Sequence, residues 1–127
     1  MKKIINTPYA PAPIGPYSQA VLIGDLLYTS GQIAIDPKTG DLKTEDITTE
    51  TLQVMENLKA ILDAAGMNFS SVVKTSIFIT DMNDFAKINA AYGSYFTDSY
   101  APARETVQVA ALPKNVHVEI SMTAKKI

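Results

Sequence analysis

The chain has 127 residues, 46% of them hydrophobic and 19% charged, and a formal net charge of −2. That length gives one domain around one core and excludes two comfortable ones; the composition excludes a disordered chain, and the lack of a basic field argues against a general nucleic-acid binder. Cysteine is absent, which excludes a disulfide framework, a thiolate nucleophile and a cysteine-based metal site, and suits a reducing cytosol.

Met1 to Ile5 begins like the basic start of a signal peptide, but Asn6, Pro8 and Pro11 stop the apolar stretch too early. No run reaches transmembrane length, so the expectation is a soluble, cytoplasmic protein with no membrane partner. Thr7 to Pro16 carries prolines at 8, 11, 13 and 16 and reads as an extended arm ordered by contacts. Tyr17–Ile23 and Leu26–Ser30 flank Gly24-Asp25, a two-residue turn between β-rich runs, which predicts a hairpin. Ile33 and Ile35 lead into the polar turn Asp36–Gly40. A helix is predicted from about Thr48 to Ala65, where Val54, Leu58, Ile61, Leu62 and Ala65 follow the helical period and Gly66 stands at the C′ position. Val72–Thr80, rich in β-branched residues, reads as a central strand. A second helix is predicted from about Asp84 to Asp98, then strands over Arg104–Ala111 and Val116–Ala124 around Leu112–Asn115. The order, two or three strands, helix, strand, helix and two strands, specifies an α+β fold: a mostly antiparallel sheet with two helices packed on one face.

Strand alternation sorts the polar residues. In the last strand Val116, Val118, Ile120, Met122 and Ala124 face one way, and His117, Glu119, Ser121 and Thr123 the other. In the strand before it, Val107, Val109 and Ala111 alternate with Arg104, Thr106 and Gln108. With the apolar sides under the helices, Arg104, Thr106, Gln108 and Glu119 are expected together on the open face, on adjacent antiparallel strands. Tyr17, Gln19, Val21, Tyr28 and Ser30 are expected to meet a second copy of the sheet. Arg104 is the one arginine among eleven basic side chains, and its planar fork binds a carboxylate or phosphate as an ammonium cannot; the plainer alternative is a surface ion pair. Glu119, between apolar neighbours, either orients a water or merely neutralises Lys74, Arg104 or another cation. Glu105 is expected to point away from Arg104. The lone His117 has no sequence-placed nucleophile beside it and is set aside. There is no phosphate-binding glycine loop and no metal-spaced cluster; Gly15-Pro16-Tyr17 and Ser30-Gly31-Gln32 are places where backbone can approach a ligand, or ordinary turns.

These pieces together resemble the RidA (reactive intermediate deaminase, YjgF-type) family. The matching motifs are Ile14–Gln19, Thr29–Gln32, Val73–Thr75, Asn89 with Tyr92, Pro102–Arg104, Val109-Ala110 with Leu112-Pro113, and Val118–Ile120. The resemblance covers nearly the whole chain and implies a chorismate-mutase-like fold, assembled as a homotrimer with sites between subunits. It implies hydrolysis of 2-iminobutanoate and 2-iminopropanoate to 2-oxo acids and ammonia, without cofactor or metal, on imines released by pyridoxal-phosphate dehydratases. It places Arg104 on the substrate carboxylate and Glu119 on the attacking water, with Tyr17, Ser30, Gly31, Asn89 and the backbone at Thr106 lining the pocket. Cysteine is common in bacterial members where this chain has Thr106, and a small residue where it has Glu105. The alternatives are a single-strand-specific endoribonuclease, against which the charge balance argues, and a non-catalytic trimer that binds metabolites or regulates a partner.

Overall fold

A computed structural model describes residues 1–97 and 99–127. Its first strand, β1 (Lys2–Ile5), is one that the sequence did not announce: four residues, three of them exposed, bonded at the sheet edge. It pairs with β2 (Ala20–Ile23), which turns through Gly24, at φ +58°, into β3 (Leu26–Thr29). That positive φ favours glycine, which has no Cβ to clash, and the predicted hairpin forms there. Between β1 and β2 the proline-rich arm is tied down by one buried side chain. The Gln19 amide accepts from Thr7 N at 2.7 Å and donates to the carbonyls of Thr7, Ala10 and Pro11. Gln19 thus holds its own arm and is not available to another copy.

The first helix, α1 (Ile47–Ala64), starts at Asp46, whose carboxylate accepts from Thr49 N at 2.7 Å. It stops where Gly66 takes φ +71° and Met67 N reaches back to Leu62 O. Strand β4 (Val72–Ile79) follows, then α2 (Phe85–Gly93), β5 (Ala103–Gln108) and β6 (Val118–Lys125). The second helix is shorter than predicted. It ends at Ser94, whose hydroxyl bonds back to Ala91 O, and the predicted end at Asp98 lies outside the described residues.

The six strands form one mixed sheet in the order β1-β2-β3-β6-β4-β5, antiparallel except for β4 with β5. Both helices cover one face. Val54, Met55, Leu58, Ile61 and Leu62 of α1 and Ile88 and Tyr92 of α2 pack on Leu27, Ile77, Ile79, Val118, Ile120 and Met122. The alternation read for β6 is observed: Val118, Ile120, Met122 and Ala124 are buried, and Glu119, Ser121 and Thr123 lie on the other side. That open face also carries Val21, Tyr28, Phe78 and Val107, with Tyr28 and Val107 each more than two-fifths exposed.

Two expectations about β5 are corrected. It is not adjacent to β6, because β4 runs between them, and it is parallel to its one neighbour. The register sets Arg104 beside Thr75, Thr106 beside Ile77 and Gln108 beside Ile79, all positions on the helix side. Glu105 and Val107 therefore take the open face. The reason lies in the edge position of β5. Neither of its faces is fully covered, so the apolar side is not obliged to turn toward the helices.

Candidate functional site

Polar chemistry gathers at two places, one on each side of the sheet. The first is built where the chain after β3 meets β6. Gln32 and Ile120 exchange backbone hydrogen bonds at 2.8 and 3.1 Å, which lays Gly31 against the Glu119 side chain. A Cβ on Gly31 would stand 2.6 Å from Glu119 Oε2, so the close approach requires glycine. Around them is a cleft of about 310 Å³ lined by Tyr17, Ser30, Gly31, Gln32 and Glu119, with an apolar wall of Ile14, Ile33, Ile35 and Pro113. The Ser30 hydroxyl donates to Ser18 O at 2.5 Å, and the Tyr17 hydroxyl accepts from Ile14 N at 3.2 Å. Both side chains are therefore oriented by the arm.

Glu119 has no ion-pair partner among the described residues, and burial pushes its carboxyl above the ordinary carboxylate range. The plain reading, that it neutralises Lys74 or Arg104, fails on geometry. Lys74 Nζ sits 2.7 Å from Glu105 Oε1, and Arg104 is across the sheet. Glu105 also accepts from the Ser76 hydroxyl, and these contacts, Lys74 first, hold its carboxyl below the usual range. As expected, Glu105 points away from Arg104.

The second place lies between β5 and α2. Arg104 Nη1 donates to Asn89 Oδ1 at 2.7 Å, and its guanidinium carbon lies 5.2 Å from the centre of the Tyr92 ring and 5.7 Å from that of Phe85. The Tyr92 hydroxyl donates to Thr75 Oγ1 at 3.1 Å; burial pushes this phenol up, partly opposed by Thr75 and Arg104. Asn89, Tyr92, Phe96, Pro102 and Arg104 border a cleft of about 420 Å³. Close by in β5, Thr106 Oγ1 is buried with no hydrogen bond among the described residues.

The structure therefore brings Tyr17, Ser30, Gly31 and Glu119 together, and separately Asn89 and Arg104; Thr106 lies two residues along β5 on the Arg104 side and does not line that cleft. The expected union of Arg104 and Glu119 on one face does not occur within the chain: they project from opposite faces, with β4 between their strands. A sheet is too thick for one small molecule to touch both through it, so a joint site requires the two halves from different copies.

Two residues that the sequence reading missed support the Glu119 half. Glu50, fully buried on α1, accepts from His117 N at 2.7 Å and Val118 N at 3.1 Å, with His117 Nδ1 2.8 Å from its other oxygen. Asn57, two turns along the same helix, donates to Ile33 O and Ile35 O at 3.1 and 3.0 Å. The signal was available in the spacing, since Glu50 sits on the stripe of Val54, Leu58 and Ile61. Among the described residues no group of three or more acidic, histidine or cysteine side chains could hold a metal ion, and no helix is long and apolar enough to cross a membrane.

A family model described as Endoribonuclease L-PSP matches residues 7–126. A RutC family protein of Pyrococcus horikoshii is 52% identical over 126 residues, covering 99% of each chain. A protein of Salmonella typhimurium named 2-iminobutanoate/2-iminopropanoate deaminase is 50% identical over 126 residues, 98% of each chain. Among solved structures, Escherichia coli TdcF with bound serine superposes with a TM-score of 0.93 at 44% identity, over 98% of this chain and 99% of that one.

Proposed function

From the premise that this chain belongs to the endoribonuclease L-PSP (YjgF/RidA) family, we propose that it is a 2-iminobutanoate/2-iminopropanoate deaminase, acting at a site shared by two subunits of a homotrimer. The observation that carries this reading is the unpaired, half-buried Glu119 carboxylate lying over Gly31, in a cleft with no cation of its own. Such a group can hold a water and take its proton. Relatives at about 50% identity bear the deaminase name, and one similar structure holds an amino acid.

The chemistry asks little of the protein. A protonated 2-imino acid is already electrophilic at its imine carbon. Arg104 of one copy holds the carboxylate, with Asn89 and the backbone at Thr106 beside it. Glu119 of the neighbouring copy orients a water in the pocket of Tyr17, Ser30 and Gly31. Water oxygen bonds to the imine carbon while its proton passes to Glu119. Glu119 returns that proton to the nitrogen, then takes the remaining hydroxyl proton as the carbon–nitrogen bond breaks and the carbonyl forms; ammonia leaves, carrying off that proton as ammonium, and a 2-oxo acid remains. Positioning supplies most of the acceleration, because it converts an encounter with water into a reaction within one complex. No cofactor or metal enters these steps, and the imines are of the kind that pyridoxal-phosphate dehydratases release. A cytoplasmic setting suits that supply.

The test is a coupled assay in which threonine dehydratase generates the imine and release of 2-oxobutanoate and ammonia is followed. Arg104→Ala and Glu119→Ala are expected to remove the acceleration. Arg104→Lys is expected to lose most of it although the charge is kept, since the bidentate fork is gone. Near-normal release by Arg104→Lys would sink the role given to Arg104. The family description also favours a second reading, cleavage of RNA, with Arg104 facing a phosphate. Cleavage of single-stranded RNA by nuclease-free protein, with no imine turnover, would select it. Tight 2-oxo acid binding with neither activity would select a metabolite-binding trimer.

A further inference from the structure

We propose that Phe85 and Tyr92 are positioning residues. Their rings seat the Arg104 guanidinium, with Asn89 holding Nη1, so that the Nε–Nη2 edge stays turned out for a substrate carboxylate. This rests on the deaminase reading and extends it to residues that do not themselves touch substrate.

Arg104 stands on an edge strand, partly exposed. An unheld arginine there spreads over many rotamers, and binding an anion must first collect them. Here the collecting is done in advance. Phe85, Asn89 and Tyr92 are spaced by four and three residues on α2, so they present one face toward β5. Asn89 Oδ1 takes Nη1 at 2.7 Å, and both rings lie within cation–π range of the guanidinium carbon, 5.2 Å for Tyr92 and 5.7 Å for Phe85. Among the described residues Nη1 is the guanidinium nitrogen with a hydrogen bond to protein.

Tyr92 is itself fixed from two sides. Its hydroxyl donates to Thr75 Oγ1 at 3.1 Å, and Thr75 is the residue of β4 in register with Arg104. Phe96 packs on the Tyr92 ring with 4.9 Å between centroids. The path from Arg104 to Tyr92, to Thr75 and back across the ladder is closed, so the seat cannot drift without breaking a buried hydrogen bond. A lysine would gain little from such a seat, having no plane to lay against a ring.

The experiment measures the affinity of 2-oxobutanoate by calorimetry and KM and kcat for the imine, for folded variants of the full chain. Phe85→Leu and Tyr92→Leu are each expected to weaken 2-oxobutanoate binding and raise KM about three- to tenfold, with kcat nearly held, whereas Tyr92→Phe recovers most of the affinity. In an Arg104→Lys background, which keeps some turnover, Tyr92→Leu is expected to lower kcat/KM much less than it does in wild type, which a merely structural role would not produce. Tyr92 is buried in the core and its truncation risks folding; Phe85 lies at the rim and serves as the independent variant. Wild-type affinity in folded Phe85→Leu, or an equal loss from Tyr92→Leu in the wild-type and Arg104→Lys backgrounds, overturns the seat. If Arg104→Ala itself binds 2-oxobutanoate and turns over imine like wild type, the role given to Arg104 fails and the seat with it; if the wild-type chain does not accelerate 2-oxobutanoate release at all, the deaminase reading fails. If Arg104→Ala loses both while Phe85→Leu keeps both, the seat alone fails.

Discussion

Gly31 has no side chain because Glu119 occupies the space that one would fill. A methyl group there would stand 2.6 Å from Glu119 Oε2 and 2.7 Å from its carboxyl carbon, and the flexible carboxylate, not the backbone, would give way. Gly31→Ala is therefore expected to fold with little change in melting temperature but to lower kcat about a hundredfold, as misplacing a reacting group by an ångström does. Unchanged kcat in the folded variant would show that the placement of Glu119 does not matter. Burial raises the Glu119 pKa, and a water-holding carboxylate must be ionised, so activity falls as pH drops through that raised value. The acid limb of kcat/KM is expected above the ordinary glutamate value of about 4.3, and Glu119→Gln, nearly inactive, should show no such limb. Type and neighbours singled out Arg104 and Glu119 in the sequence with an ion pair as the alternative for each, and their proposed roles came from the family resemblance. The reason for Gly31 was not legible there, because its neighbour is almost ninety positions away in the chain.

Among the elements, α1 does more than cover the sheet. Val54, Leu58 and Ile61 supply the apolar face that the sequence displayed, while Glu50 and Asn57 pin the two segments that wall the Glu119 cleft. A buried carboxylate is tolerated only when its oxygens find donors, and Glu50 finds two amides and an imidazole. Glu50→Ala would leave the amides of His117 and Val118 without their acceptor, and a loss of about 2–5 kcal/mol in chemical denaturation is expected. Glu50→Gln, which keeps an acceptor oxygen, should lose clearly less; equal losses would mean that the cost lies in volume and not in the hydrogen bonds. The elements themselves were mostly legible: the hairpin at Gly24, α1 with its Gly66 stop, β4, and the two faces of β6. The strand β1 was not, because four residues with two lysines at a sheet edge carry no alternation to read.

For the whole molecule, the decisive arrangement is the split of the proposed site residues between two faces. Arg104 looks toward α2 and Glu119 toward the open face, which also exposes Tyr28 and Val107. If copies join head to tail, each interface unites one Arg104 half with one Glu119 half. Arg104→Ala and Glu119→Ala, each inactive alone, are then expected to regain activity when refolded together in equal amounts, with about a quarter of the sites intact. No recovery in mixed assemblies, verified by mass, would place the whole site within one copy.

Residue type, period and turn chemistry by themselves determined the α+β class and most of the elements, and drew attention to the two side chains on which the proposed chemistry rests. These are properties of short stretches, read from neighbours a few positions apart. Only the tertiary structure decided that β4 enters between β5 and β6, that β5 runs parallel to it, and that Arg104 consequently faces the helices. Alternation tells that the two sides of a strand differ. Which side meets the core is set by pairing between distant segments, and on an edge strand left half-covered on both faces the local pattern carries no such instruction.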